Sequence, residues 1–177
     1  MNPSPRYSKR YERGPMERFL IALDCTPGPL RSVHYVNRVL RGAVDSGFVL
    51  FHVLPTASPN LLKRAEVQRL ESLQEESPRL RGYFWKREDE ERMDRTFREA
   101  RQLLIEGGFA ESGIVTHFAL ESDEIAQIIF DAAREMGCST VVVGRRRLSR
   151  VKELLLGSVS NSLVKLARGI SVWVVDY

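Results

Sequence analysis

The sequence predicts an open, mostly parallel five-stranded α/β sheet with helices on both faces, of the Rossmann-like type. Short runs of β-branched and aromatic residues, such as residues 140–143, are bounded by polar or glycine-containing segments, as buried parallel strands are. Between these runs, apolar residues recur at helical spacing. The resulting order is strand, helix, strand, insert, helix, strand, helix, strand, helix, strand. Such alternation requires crossover connections that cover both faces of one sheet.

Two segments fall outside the regular part of this domain. Residues 1–17 carry three prolines and charges of both signs without any period, so we expect a flexible N-terminal arm. Residues 18–177 then form a single domain. Residues 55–82 also hold three prolines around a polar middle, and we expect an insert that leaves the sheet after the second strand.

The remaining residues divide into strands and helices by the period of their apolar side chains. We place strands at residues 19–24, 48–54, 114–120, 140–143 and 170–175. We place helices at residues 31–45, 86–107 and 158–168, together with a helix that Asp123 caps and Gly137 stops. His52 lies near the end of an apolar strand, where a hydrogen-bonded core histidine is a better explanation than a ligand or a base.

Composition argues against several classes of function. Charged residues make up 28% of the chain and no apolar run approaches the roughly 20 residues that span a bilayer, so we expect a cytoplasmic protein without a membrane segment. The net charge of +4 is dispersed among 23 carboxylates and no nucleic-acid-binding motif is present, so nucleic acid is not the expected partner. Cys25 and Cys138 lack the spacing of a zinc site or a redox pair, and we expect neither a metal site nor a disulfide.

A candidate anion site lies between the fourth strand and the last helix. Val143 and Gly144 end an apolar strand, and Gly157 with Ser158 begins a helix thirteen residues after Gly144. The free N–H groups and the dipole of a helix N-terminus favour anions, and glycine lets a ligand approach the backbone. The spacing alone is equally compatible with an ordinary strand–helix loop, because short glycine motifs often match by chance.

Two further strand ends converge on the same place. Asp24 ends the first predicted strand, and Val53 lies at the end of the second. Because the carboxyl ends of parallel strands meet at one edge of a sheet, this fold would bring residues 24, 53, 144 and 157 to one crevice. The sequence therefore predicts a ligand crevice rather than an isolated loop.

These segments carry a resemblance to a known family. The chain resembles the universal stress protein family from about Arg18 to Tyr177, in the runs FLIALD, LFHVLP, VVVGRR and LSRVKELLLGSVSNSLVKLA. The family signature is glycine, two residues, glycine, nine residues, then Gly-Ser or Gly-Thr. Gly144 and Gly157-Ser158 fill the two ends of this signature with the correct spacing, whereas Arg147 replaces the middle glycine.

The resemblance implies a Rossmann-like homodimer, and one branch of the family binds ATP. In that branch, the residue at Asp24 approaches adenine or ribose, and the residue at Val53 flanks the adenine. The Gly144 backbone would meet ribose or phosphate, and residues 157–160 would cradle the phosphates. The residues assigned to the nucleotide in this way are Asp24, Val53, Val143, Gly144, Arg147, Gly157, Ser158, Val159 and Ser160. The ligand would be ATP, AMP or ADP, with Mg²⁺ bridged by phosphates rather than held by a protein cage.

Arg147 leaves two functions open. Either its side chain blocks the close backbone approach that a glycine would allow, or its guanidinium binds phosphate in place of that backbone contact. The first function is an adenine-nucleotide-binding module that senses or regulates the stress response. The alternative is a family member that binds no nucleotide and acts through its dimer surface and other partners.

Dedicated catalysis is not expected. Adenylating relatives with this layer order carry a loop rich in serine and glycine after the first strand, whereas residues 24–28 read D-C-T-P-G. No general base is paired with a nucleophile, so slow ATP hydrolysis or autophosphorylation is the most we expect. The apolar segment Ile170–Asp176 would form a bare sheet edge, and we expect a homodimer through it together with an unknown regulatory protein partner.

Overall fold

The computed structural model describes residues 17–24, 30–43, 45–54, 87–120, 124–145 and 157–176. In chain order, these residues form β1 (Arg18–Ala22), α1 (Arg31–Val39), β2 (Gly47–Leu54), α2 (Arg87–Glu106), a 3₁₀ turn (Glu111–Gly113), β3 (Ile114–Leu120), α3 (Ile125–Glu135), β4 (Thr140–Gly144), α4 (Ser158–Leu166) and β5 (Ser171–Val175). The predicted arm up to residue 16, the predicted insert at 55–82, and Arg147 lie outside the described residues.

The five strands form one parallel sheet in the order β3-β2-β1-β4-β5. β1 is central: Phe19 lies opposite Phe48 of β2 on one side and opposite Thr140 of β4 on the other. β3 and β5 form the two edges of the sheet. The predicted fold class, an open parallel α/β sheet, is therefore confirmed.

Helices cover both faces of this sheet, and each face has its own apolar core. On one face, α1 and α2 pack over a cluster that includes Ile21, Leu50 and Val142. On the other face, α3 and α4 pack over a cluster that includes Leu20 and Val141. Neighbouring residues of one strand thus enter different cores, as the two-residue period of a strand requires, and both faces of the central strands are apolar.

α2 is the longest of the described helices and is amphipathic. Met93, Phe97, Ala100 and Leu104 are buried at helical spacing, while charged residues occupy the opposite side. Within the described ranges, no helix is both long enough and apolar enough to cross a bilayer.

Helix ends account for most of the differences from the sequence prediction. α1 ends at Val39 instead of residue 45, because the chain turns at Gly42, whose φ of 88° a helix cannot accommodate. α4 ends at Leu166, two residues earlier than predicted. The N-cap of α3 is Glu124, which makes no side-chain capping hydrogen bond, and the predicted cap Asp123 lies outside the described residues.

Candidate functional site

The candidate site lies where the strand order reverses. The chain runs outward from β1 through β2 to β3 and then returns to the other side of β1 to form β4. The N–H of Leu23 donates to the carbonyl oxygen of Phe51 at 2.8 Å, and Ala22 lies opposite Val143, so the carboxyl ends of β1, β2 and β4 are adjacent. In open α/β sheets, ligands bind in the crevice outside such a switch point.

The predicted residues of the strand ends occupy this place. Asp24 is exposed two residues beyond the end of β1, and Gly144 is the exposed last residue of β4. Val143 is buried and Val53 is half-buried, and both belong to the apolar cluster beneath α3 and α4. Val159 of α4 packs against the same cluster. Three of the predicted nucleotide residues therefore share one side of the sheet.

Gly144 has no close neighbour among the described residues. A Cβ built on this glycine would meet no described atom within 4 Å, and its φ lies outside the left-handed region. Neither backbone conformation nor contact with the described residues therefore requires glycine at this position.

The first turn of α4 provides polar groups at the same end of the sheet. Since α4 ends at Leu166 and the parallel strand β5 begins at Ser171, the N-terminus of α4 lies toward the carboxyl ends of the strands. The N-cap is the buried Gly157, which has no side chain to cap the first amides. Ser158 is exposed and Ser160 is only 3% exposed. The unpaired N–H groups of a first turn and the helix dipole favour an anion.

His52 connects the first two strand ends. Its Nδ1 donates to the carbonyl oxygen of Leu23 at 2.5 Å, so the imidazole of β2 holds the backbone immediately before Asp24. Burial lowers the pKa of His52, while the hydrogen bond to Leu23 and the negative charge of Asp24 raise it by smaller amounts. The predicted role, a hydrogen-bonded core histidine, is confirmed. The residue acts by positioning the strand end.

Arg145 is a polar residue whose role the sequence did not reveal. Its Nη1 lies 2.6 Å from Oδ2 of Asp176, and its N–H donates to the carbonyl oxygen of Val175 at 2.8 Å. In the sequence, Arg145 stands in the run VVVGRR, and no local pattern identifies its partner. No sequence pattern signals a pair separated by 31 positions, because the pairing depends on β4 and β5 being neighbours.

The described residues hold no group of three or more histidine, cysteine, aspartate or glutamate side chains that could bind a metal ion. The described polar residues of the crevice are instead a carboxylate, small hydroxyls and backbone amides. With the sheet order, these features define an open α/β protein whose strand order reverses between β1 and β4.

The family follows from comparison with known proteins. The model of the universal stress protein family matches residues 16–176, and the chain belongs to this family. Universal stress protein YxiE of Bacillus subtilis (strain 168) is 40% identical over 58 residues, which are 33% of this chain. That match spans 39% of the length of the Bacillus protein.

Solved structures of the family share the fold. A universal stress protein from Archaeoglobus fulgidus, solved in complex with dAMP, matches with a TM-score of 0.58 and 16% identity over 92% of this chain and 100% of that one. A universal stress protein solved in complex with cAMP matches with a TM-score of 0.53 and 15% identity over 92% of this chain and 98% of that one.

Proposed function

We propose that this chain is a regulatory module of the stress response that binds ATP or another adenine nucleotide in the crevice of β1, β2 and β4. The observation that carries the proposal is the exposed Gly144, where a Cβ would meet no described atom within 4 Å. It lies at the same end of the sheet as the N-terminus of α4, which has no side-chain capping hydrogen bond. This combination offers a nucleotide both a backbone surface and an electropositive helix end.

The chemistry of the crevice suits the parts of an adenine nucleotide. Val53 offers an apolar surface for the base, and the carboxylate of Asp24 can accept a hydrogen bond from the adenine amine or a ribose hydroxyl. The first turn of α4, residues 157–160, would hold phosphate through backbone N–H groups and hydroxyls. Two relatives were solved with dAMP and cAMP, which share adenine and one phosphate group. Mg²⁺ would bind the phosphates without a protein cage.

The first experiment measures ATP binding to protein freed of nucleotide. Bound ligand stabilises the folded state by mass action, by about 2.7 kcal/mol at a ligand concentration of one hundred times Kd. We expect millimolar ATP to raise Tm. The absence of any shift would favour the alternative function, in which the family member acts through partners without a nucleotide.

Two glycine-to-alanine variants test whether the nucleotide binds beside Gly144. The methyl group of Gly144→Ala would meet no described atom within 4 Å, so the unliganded Tm should change little while ATP affinity falls about tenfold, equivalent to about 1.4 kcal/mol. Gly113→Ala is the matched control, since its Cβ would lie at an ordinary 3.5 Å from the carbonyl oxygen of Ser46, before β3 and away from the crevice. Equal ATP affinities of the two variants would place the nucleotide elsewhere.

Arg147 is tested separately. If its guanidinium binds phosphate, Arg147→Gly should weaken ATP binding, whereas tighter binding would mean that the side chain obstructs the cradle. The unliganded Tm serves as the control for folding.

We also propose a homodimer through β5. β5 has one neighbour in the sheet, β4, and Val172, Trp173 and Val174 are half-buried along it. An exposed apolar edge strand invites pairing with another strand. Light scattering at micromolar concentration should give twice the chain mass, and a monomeric mass would refute the dimer.

A further inference from the structure

After β4 ends at Gly144, the backbone of the next residue is still hydrogen-bonded to β5. Gly144 lies opposite Val175, and the next residue, Arg145, continues the ladder by donating its N–H to the carbonyl oxygen of Val175 at 2.8 Å. The backbone that follows Gly144 is therefore fixed by the edge strand. Gly144 itself is exposed, and a Cβ there would meet no described atom within 4 Å. A shift of Arg145 would also shift Gly144, because the two residues are adjacent in the chain.

A side-chain bond strengthens the same attachment. Nη1 of Arg145 lies 2.6 Å from Oδ2 of Asp176, the first residue after β5. The arginine side chain is 24% exposed and the aspartate side chain 40%, so water screens the pair only in part. Such a short charge-assisted hydrogen bond has strict geometry. Arg145 is thus held to β5 by its backbone and by its side chain.

We propose that Arg145 and Asp176 are positioning residues for nucleotide binding. They fix the exit of β4 and so hold the backbone of Gly144 in place beside the crevice. The charge of Arg145 is directed to Asp176 and does not serve as a phosphate ligand. This inference rests on the proposed function. It makes the carboxylate of Asp176, which follows β5, a determinant of nucleotide affinity.

The test removes each charge with little change of shape. Asp176→Asn should weaken ATP binding about three- to tenfold, the range for loss of one partly exposed charged hydrogen bond. Arg145→Gln should have an effect of the same size, and the double variant should be no worse than either single variant, because both remove one bond. Glu111→Gln is the matched control, since it neutralises a carboxylate that lies 3.8 Å from Arg101 beyond the opposite end of the sheet.

A second measurement does not depend on the nucleotide. Hydrogen exchange at the amide of Arg145 should become about three- to tenfold faster in Asp176→Asn, because that N–H is held by Val175 and the ion pair stabilises this contact. Unchanged exchange would overturn the inference whether or not ATP binds. Failure of the wild-type chain to bind ATP would instead refute the proposed function.

Two affinity results would also overturn the inference. Tighter ATP binding by Asp176→Asn would mean that releasing Arg145 adds a phosphate ligand. Additive losses in the double variant would mean that the two residues act separately.

Discussion

Two adjacent glycines end α2 for different reasons, and this difference gives a sharp prediction. Gly108 has a φ of 94°, and the bonds from Gly108 to Ile105 and from Phe109 to Leu104 close the helix in a Schellman motif. The φ of Gly107 does not lie in the left-handed region. Instead, a Cβ on Gly107 would lie 2.7 Å from Oδ1 and 2.8 Å from Cγ of Asn37 in α1. Gly107 is therefore required by the packing of α1 against α2.

Asn37 cannot move away without loss. Its Nδ2 donates to the carbonyl oxygen of Leu103 at 2.6 Å, and its Oδ1 is buried without a hydrogen-bond partner among the described residues. Gly107→Ala should therefore break a hydrogen bond worth about 1 kcal/mol. With the strain of overpacking, the free energy of unfolding should fall by about 1–3 kcal/mol. At about 2–4 °C per kcal/mol, Tm should fall by about 2–12 °C for a chain of this size.

Urea unfolding of a double-mutant cycle measures this coupling. In the Asn37→Ala background the clash is absent, so Gly107→Ala should cost little, and the coupling energy should be about 1–2 kcal/mol. Gly108→Ala is the matched control: it should cost about 1–2 kcal/mol in either background, because its strain arises from φ and no described atom lies within 4 Å of its Cβ. Additivity of Gly107→Ala with Asn37→Ala would refute the argument.

Two titratable groups give further predictions. Because burial lowers the pKa of His52 below the ordinary 6.5, the unfolded chain binds a proton there before the folded chain does, so stability should fall as pH drops through 6.5 toward the folded pKa. His52→Asn, which keeps a donor near Nδ1, should flatten this slope in urea titrations between pH 8 and 5, and an equal slope in both proteins would contradict the assignment. Burial raises the pKa of Cys138 from 9.0 to about 11, with Arg18 opposing it slightly, so a thiol reagent at pH 8 should label Cys138 only at the rate of unfolding. Labelling of Cys138 at the rate of a free thiol would contradict its burial in the folded chain.

The strands of the sheet could be predicted from local sequence patterns. The predicted third strand, residues 114–120, agrees with β3 at both ends, and the helix predicted at residues 86–107 agrees with α2 to within one residue at each end. Strands buried on both faces are continuous apolar runs, and amphipathic helices repeat at 3.6 residues, so single segments of sequence carry these signals. The end of α1 was predicted wrongly at residue 45, because the turn at Gly42 was not recognised.

The sequence by itself determined the parallel α/β class, the bounds of β3 and the glycine at the end of β4, since each depends on residues close in the chain. It placed the end of β1 at Asp24, two residues beyond its observed end at Ala22. Only the tertiary structure decided which distant groups meet: His52 with Leu23, Asn37 with Gly107, and Arg145 with Asp176. These contacts depend on which strands and helices are neighbours and on side-chain direction. A local period of hydrophobicity contains neither kind of information.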